Sequence, residues 1–285
     1  ANVYSGDYSI KIKKIETING NTKIYFDDIN NELYLIDSNF KLYMSDFDVD
    51  YAKSKGLHVI NTPASSSESV AELVFAHLFS GVRFLHDSNR NMPLEGDSNF
   101  DGLKKAYANG IELRGKTLGI VGIGRIGQAT AKMALGLGMK VIAADMFIPQ
   151  VDVKVEFFDG QSITTTIVSQ SLESLFEEAD FITLHVPAQD GYIIGANELA
   201  TMKDGVGIVN CARGGVIDEI ALIEALDNGK VAFAGLDVFE SEPKPELKIL
   251  MHPKISLTPH IGAATDEAQD RIGTELAQQI ISILG

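Results

Sequence analysis

Four side chains of types that catalysis uses stand at or just past the ends of short apolar runs. In "GIVNCARGG" the strand-like Gly207-Ile208-Val209 leads almost directly into Arg213. An arginine cannot shed its charge, so at the end of a buried strand it needs an anionic partner or water. "AGLDVFESEP" carries Asp237 and Glu242, and "SLTPHIG" carries His260. Singly, each has a bland reading: a surface ion pair, a solvated turn, a loop histidine. Together, at the ends of consecutive strands of an open α/β sheet, they mark the edge where ligands bind.

A second constellation lies upstream. "LGIVGIGRIGQ" places Gly122, Gly124 and Gly127 in GxGxxG spacing after an aliphatic strand and at the start of a helix. The next strand closes on Asp145, roughly 20 residues past the first glycine, the interval a dinucleotide fold leaves before the carboxylate that bonds the ribose. Gly122 serves the tight turn, Gly124 the close approach to a pyrophosphate, and Gly127 the helix-to-strand contact, with the helix N-terminus facing the anion. An acid at 145 repels a 2'-phosphate. The cofactor expected is therefore NAD, not NADP.

The elements that must position these groups read as α/β. From about Lys116, apolar runs at Thr117 to Val121, Lys140 to Asp145, Phe181 to Val186, Gly207 to Asn210, Ala232 to Val238 and Ile255 to Thr258 alternate with helical patterns. That alternation predicts a Rossmann-type doubly wound parallel sheet. Asp218 stands where an N-cap belongs and Gly229 where a left-handed C-cap does. Upstream, Ser69 to Phe84 predicts a buried helix that the cluster Ser65-Ser66-Ser67 could cap, and Asn89 to Gly115 reads as a long irregular arm. After Thr265, Ile272, Leu276, Ile280 and Leu284 describe one closing helix.

Residues 1 to 43 differ. "YSIKIKKIETINGNTKIYF" alternates around Asn19-Gly20, a strong hairpin sign, and "ELYLIDSNFKLYM" alternates again, so an antiparallel β-meander is expected. The reading divides the chain into an atypical, smaller substrate domain at 1–64, an NAD-binding domain at 65–264 and a C-terminal helix at 265–285.

Bulk properties limit the partners. Of 285 residues 45% are hydrophobic, enough for two cores, and 39 Asp and Glu against 24 Lys and Arg leave a net charge of -15. That charge argues against nucleic acid and anionic membranes. The lone Cys211 excludes an internal disulfide and a cysteine-rich metal site; no metal is expected. Neither a spanning run nor a signal-peptide pattern is found, and the expectation is cytoplasmic. Cys211 as a nucleophile is discounted for want of a partner base. His58, His77, His86 and His252 are taken as structural or exposed.

"VNCARGGVIDEIALIEAL", "AGLDVFESEP" and "SLTPHIGAAT" resemble signature segments of the D-isomer-specific 2-hydroxyacid dehydrogenases, with phosphoglycerate dehydrogenases the nearest likeness. The similarity runs from about Asp48 to the end. It implies catalytic roles for Arg213, Glu242 and His260: the guanidinium grips a substrate carboxylate and polarises its carbonyl, His260 takes and returns the hydroxyl proton, and Glu242 fixes the ring and favours imidazolium. It further implies cofactor contacts at Arg125, Ile126, Val186, Pro187, Cys211, Ala212, Asp237, His260 and Gly262.

The activity so implied is NAD-dependent interconversion of a small 2-hydroxy and 2-keto acid, most simply 3-phosphoglycerate and 3-phosphohydroxypyruvate in serine biosynthesis, by a homodimer. Where the family places a glycine-rich loop, this chain reads "FKLYMSD", and no arginine precedes Arg83. A catalytically silent, corepressor-like NAD(H)-binding protein is the alternative. No regulatory domain is expected after Gly285.

Overall fold

Short alternating runs near the start of the chain pair locally. The computed structural model describes residues 11–18, 21–27, 34–37, 40–43, 58–62 and 64–284, with side chains at 58–62 and 64–283. β1 (Lys11–Ile18) and β2 (Asn21–Asp27) form an antiparallel hairpin with Ile18 opposite Asn21. The Asn19-Gly20 turn itself lies outside the described residues. β3 (Tyr34–Asp37) pairs antiparallel with β4 (Phe40–Tyr43) on one side and with β5 (His58–Ile60) on the other. The antiparallel strands thus make one two-stranded and one three-stranded sheet.

α1 (Ser67–Val82) is the expected apolar helix, burying Val70, Val74, Phe75, Leu78 and Val82. The preceding serines are used differently from the expectation. Ser65 Oγ donates to the Glu275 carboxylate, and Ser67 Oγ is buried without a partner. The arm expected at Asn89 to Gly115 is largely helical, as α2 (Leu85–Glu95) and α3 (Phe100–Ala106). Hydrophobic periodicity could not find α2, because it buries no residue. Polar bonds hold it instead: Tyr107 Oη donates to Asp87 Oδ2 at 2.8 Å and accepts from Asn91 Nδ2 at 2.7 Å.

The remaining elements, in order, are β6 (Thr117–Val121), α4 (Arg125–Gly136), β7 (Lys140–Ala144), β8 (Gln150–Glu156), β9 (Ser162–Val168), α5 (Leu172–Glu178), β10 (Phe181–Leu184), α6 (Ala196–Thr201), β11 (Val206–Asn210), α7 (Glu219–Asp227), β12 (Val231–Leu236), α8 (Leu247–Met251), β13 (Ile255–Leu257) and α9 (Asp266–Leu284). Six of the strands form one parallel sheet, ordered β13-β12-β11-β10-β6-β7. They read as unbroken apolar runs because helices cover both faces. Leu118 and Ile120 face α1 and α4, while Val121, Ile182 and Ile208 face α5, α6 and α7. Each such buried aliphatic side chain stabilises the fold by about 1.5–3 kcal/mol.

Asp218 caps α7 by accepting from the N–H groups of Ile220 and Ala221, and Gly229 adopts a left-handed φ of 83°. Four expected strands end early, β7 at Ala144, β10 at Leu184, β12 at Leu236 and β13 at Leu257, which releases their last residues into loops.

One element goes beyond the sequence expectation. Between β7 and β10, where the sequence reading has helix alone, the chain makes the β8–β9 hairpin, and Ser169 bridges back in parallel to Ala143. Asp159-Gly160 forms its turn, with Gly160 at φ 86° and Asp159 Oδ1 accepting from Gln161 N–H at 3.0 Å. The Asp-Gly signal between two alternating runs was present in the sequence.

The chain divides into two compact units. One comprises Val70–Gly262 and contains the six-stranded sheet; the other comprises Ala1–Ser69 with Ala263–Gly285. In the second, α9 packs Ala268, Ile272 and Leu276 against Ile60 of β5. Ser69 Oγ and Thr265 Oγ1 are 2.8 Å apart, and Arg271 Nε donates to the Ser65 carbonyl at 2.8 Å.

Candidate functional site

The strand order turns back between β6 and β10, so the loops leaving these neighbours diverge and open a crevice at their carboxyl ends. The glycine loop starts there. Gly122 has φ 91°, and a Cβ on it would lie 2.4 Å from the His185 carbonyl oxygen; a Cβ on Gly127 would lie 2.1 Å from the Gly122 oxygen. Both positions exclude any side chain. Gly124 differs, since a Cβ there would meet nothing within 4 Å. Its hydrogen fronts open space at the start of α4, and no side chain caps that helix. First-turn N–H groups with no cap, preceded by a backbone bare of side chains, suit the pyrophosphate of a dinucleotide.

Asp145 closes the turn. Its Oδ2 accepts from Ile123 N–H at 2.8 Å, and its Oδ1 accepts from the N–H groups of Phe147 at 2.8 Å and Ile148 at 3.0 Å. The carboxylate thereby ties the glycine loop to the end of β7, a bracing role that spacing alone did not suggest. Arg125 and Ile126 open α4 beside it. Past β10, Val186 is half-buried and packs beside Gly122, and Pro187 is exposed.

His185, within the same "LHVP", was passed over in the sequence. Thr130 Oγ1 donates to the Ile126 carbonyl at 2.9 Å, so toward His185 Nε2, 3.2 Å away, it accepts. Thr183 Oγ1 also lies 3.2 Å from Nε2, and Nδ1 is buried without a hydrogen-bond partner. The residue as a whole is half-buried, but its ring is sealed from water, and burial pushes its pKa down to about 3.

Around the other strand ends, the structure brings Arg213, Glu242 and His260 onto neighbouring loops after β11, β12 and β13. Asn210, 2% exposed, clamps the first: its Oδ1 accepts from Ala212 N–H at 3.0 Å and its Nδ2 donates to the Arg213 carbonyl at 2.8 Å. Gly214 permits the next contact, since a Cβ there would lie 1.8 Å from the Phe239 oxygen. Arg213 is half-buried, and its guanidinium donates to the Ala212 carbonyl. Burial lowers its pKa and the nearby Glu242 opposes that, so the cation is retained.

Glu242 Oε1 accepts from Phe239 N–H at 2.9 Å, and Oε2 faces His260 Nδ1 at 2.9 Å. Facing a carboxylate, Nδ1 carries the proton and the neutral ring keeps its lone pair on Nε2. Burial alone would raise the Glu242 carboxyl. Hydrogen bonds from His260 and the Phe239 N–H, with the charges of His260 and Arg213, bring it below its ordinary value. Behind this loop, Glu219 and Glu240 each accept the other's backbone N–H, at 2.8 and 2.9 Å, which fastens the 237–242 segment to the start of α7.

His260 has φ 55°, a left-handed conformation that costs a non-glycine residue about 1–3 kcal/mol unless its surroundings enforce it. Asp237 enforces it. At 1% exposure, its Oδ1 accepts from Thr258 Oγ1 at 2.6 Å and Ile261 N–H at 2.9 Å, and its Oδ2 from Gly262 N–H at 2.8 Å. The sequence marked Asp237 as a cofactor contact; what the fold makes of it is a brace for the histidine loop. Cys211 and Ala212 are buried, and burial pushes the Cys211 thiol well up, which leaves it inert. Among the described residues, no group of His, Cys, Asp and Glu could hold a metal ion, and no helix is long and apolar enough to cross a membrane.

The chain belongs to the D-isomer-specific 2-hydroxyacid dehydrogenases: residues 75–262 match the family's NAD-binding domain. Its members are NAD-dependent oxidoreductases acting on CH–OH groups. The chain is 46% identical over 243 residues to a hydroxypyruvate reductase of Thermotoga maritima, covering 84% of this chain and 74% of that one. It is 42% identical over 239 residues to a D-3-phosphoglycerate dehydrogenase of Methanocaldococcus jannaschii, covering 83% of this chain but 43% of that longer protein. Of solved structures, a glyoxylate reductase from Paecilomyes thermophila superposes with TM-score 0.68 at 33% identity, covering 83% of this chain and 68% of its own. Holo D-mandelate dehydrogenase of Rhodotorula graminis gives 0.70 at 30%, covering 80% and 65%.

Proposed function

We propose that the protein interconverts a small 2-hydroxy acid and its 2-keto acid, with NAD as the hydride carrier. The carrying observation is the contact of Glu242 with His260 on the loop beside the one that bears Arg213. In this reading Arg213 holds the substrate carboxylate with a charge-assisted fork. His260 accepts the hydroxyl proton at Nε2, and the Glu242 carboxylate stabilises the imidazolium that results. In reduction the same proton returns to the new hydroxyl. The bound nicotinamide supplies the complementary hydride chemistry. Gly124 and the start of α4 would face its pyrophosphate, with Asp145 setting the preference for NAD. Arg125, Ile126, Val186, Pro187, Cys211, Ala212 and Gly262 would line the remainder of its site.

For the substrate pair, 3-phosphoglycerate and 3-phosphohydroxypyruvate are supported by the phosphoglycerate dehydrogenases among the relatives. Unphosphorylated hydroxypyruvate is the second reading, favoured by the more similar Thermotoga relative. A homodimer fits the exposed apolar side chains of α2 and α3, where Leu85, Met92, Leu94 and Phe100 face solvent. NADH consumption followed by absorbance with phosphohydroxypyruvate, hydroxypyruvate, pyruvate and glyoxylate side by side tests the reading. The acid with the highest kcat/KM identifies the substrate, and NADH binding without turnover of any would leave the corepressor-like alternative.

A further inference from the structure

His77 lies on α1, 2% exposed, against β12, where Gly235 makes room: a Cβ at 235 would sit 2.5 Å from the His77 Cβ. Both ring nitrogens are engaged, Nδ1 with Ser256 Oγ at 2.9 Å and Nε2 with Thr258 Oγ1 at 3.0 Å. The direction of the second bond is fixed by proton count. A threonine hydroxyl has one proton, and Thr258 gives it to Asp237 Oδ1 at 2.6 Å. Toward His77 it can only accept, so Nε2 of His77 carries the hydrogen. Asp237 in turn receives the N–H groups of Ile261 and Gly262, the two residues that follow His260. Hydrogen bonds thus converge on Asp237, from the buried imidazole on α1 through Thr258 and from the backbone that follows His260.

We propose that His77 is a positioning residue for the proton transfer: acting through Thr258 and Asp237, it holds the 258–262 loop so that His260 stays in its left-handed conformation against Glu242. The proposal rests on the reading of His260 as the proton acceptor. It requires a donor at 77 that reaches Thr258, which glutamine supplies and phenylalanine does not. The ring stays neutral at neutral pH because burial pushes its pKa to about 4. The same buried donor and acceptor pairing could serve packing alone, so the test must read the loop.

Steady-state kinetics of His77→Phe, His77→Gln, Thr258→Val and the His77→Phe/Thr258→Val pair, with hydrogen exchange of the 258–262 amides, separate the cases. The expected result is a kcat about 10-fold lower for His77→Phe with KM for NADH unchanged, recovery to within about 3-fold for His77→Gln, and a double variant no slower than Thr258→Val alone. Exchange at Ile261 and Gly262 should quicken in His77→Phe and not in His77→Gln. Wild-type kcat and exchange in His77→Phe, or losses that multiply in the double variant, overturn the proposal. Should His77→Phe fail to fold, His77→Gln and Thr258→Val carry the comparison. If the wild-type protein turns over no 2-keto acid, the functional reading fails, and the exchange result still decides whether His77 holds the loop.

Discussion

Glu242 Oε2 and His260 Nδ1 lie 2.9 Å apart, joining the loop after β12 to the loop after β13 through one carboxylate. Glu242→Gln keeps an acceptor there and removes the charge. Imidazolium then loses its counter-ion, so kcat should fall about 10²-fold, within the range general acid-base groups contribute. Steady-state kcat in both directions checks this; an unchanged kcat would assign Glu242 to packing alone.

Asn210 and Arg213 give a second expectation. Asn210→Ala removes both bonds that shape the 211–213 turn and leaves the buried Ala212 N–H and Arg213 carbonyl short of partners. The cost is about 1–3 kcal/mol of stability, and KM for the keto acid should rise because the guanidinium is no longer aimed. Urea unfolding beside substrate titration measures both. A loss of stability with KM unchanged would show that Arg213 needs no clamp.

Gly124 separates folding from cofactor binding. Its φ of -67° suits any residue and the space before it is open, so Gly124→Ala should leave the thermal midpoint nearly unchanged. The added methyl would stand where the pyrophosphate approaches, and NADH affinity should fall 10-fold or more. Fluorescence titration with NADH, run with a melting curve, decides it. Gly122→Ala, by contrast, should destabilise outright, because its φ of 91° and the His185 carbonyl at 2.4 Å leave no room.

His77 makes stability depend on acidity. Unfolded, it takes up a proton near pH 6.5; folded, it stays neutral until about pH 4. Its contribution is therefore complete above pH 6.5 and declines as pH falls toward 4, at up to about 1.4 kcal/mol per pH unit. His185, held down to about 3, adds a second proton to the same slope. Between pH 7 and 5, denaturant unfolding of His77→Gln should show a fall in stability smaller than wild type by about 1–2 kcal/mol. An equal fall would mean that His77 is already protonated in the native state.

The sequence by itself determined whatever is written in local pattern. Apolar runs, the glycine spacing, Asp218 and Gly229 at the ends of α7, and the polar residues past each strand end are set by steric and solvation rules acting over a few residues, so β6, β7, β10 to β13 and the turn at Gly122 were legible. The β8–β9 hairpin had a local signal too, Asp159-Gly160, but the sequence reading places no strand between Asp145 and Phe181. α2 was not legible, since hydrogen bonds among Tyr107, Asp87 and Asn91 stabilise it in place of an apolar face. Only the tertiary structure decided the braces: Asp237 beneath the His260 loop, Asn210 behind Arg213, Asp145 on Ile123, and His77 on Thr258. Each depends on groups distant in the chain meeting within hydrogen-bond range, and direction and range in a hydrogen bond belong to the assembled sheet, not to any segment of it.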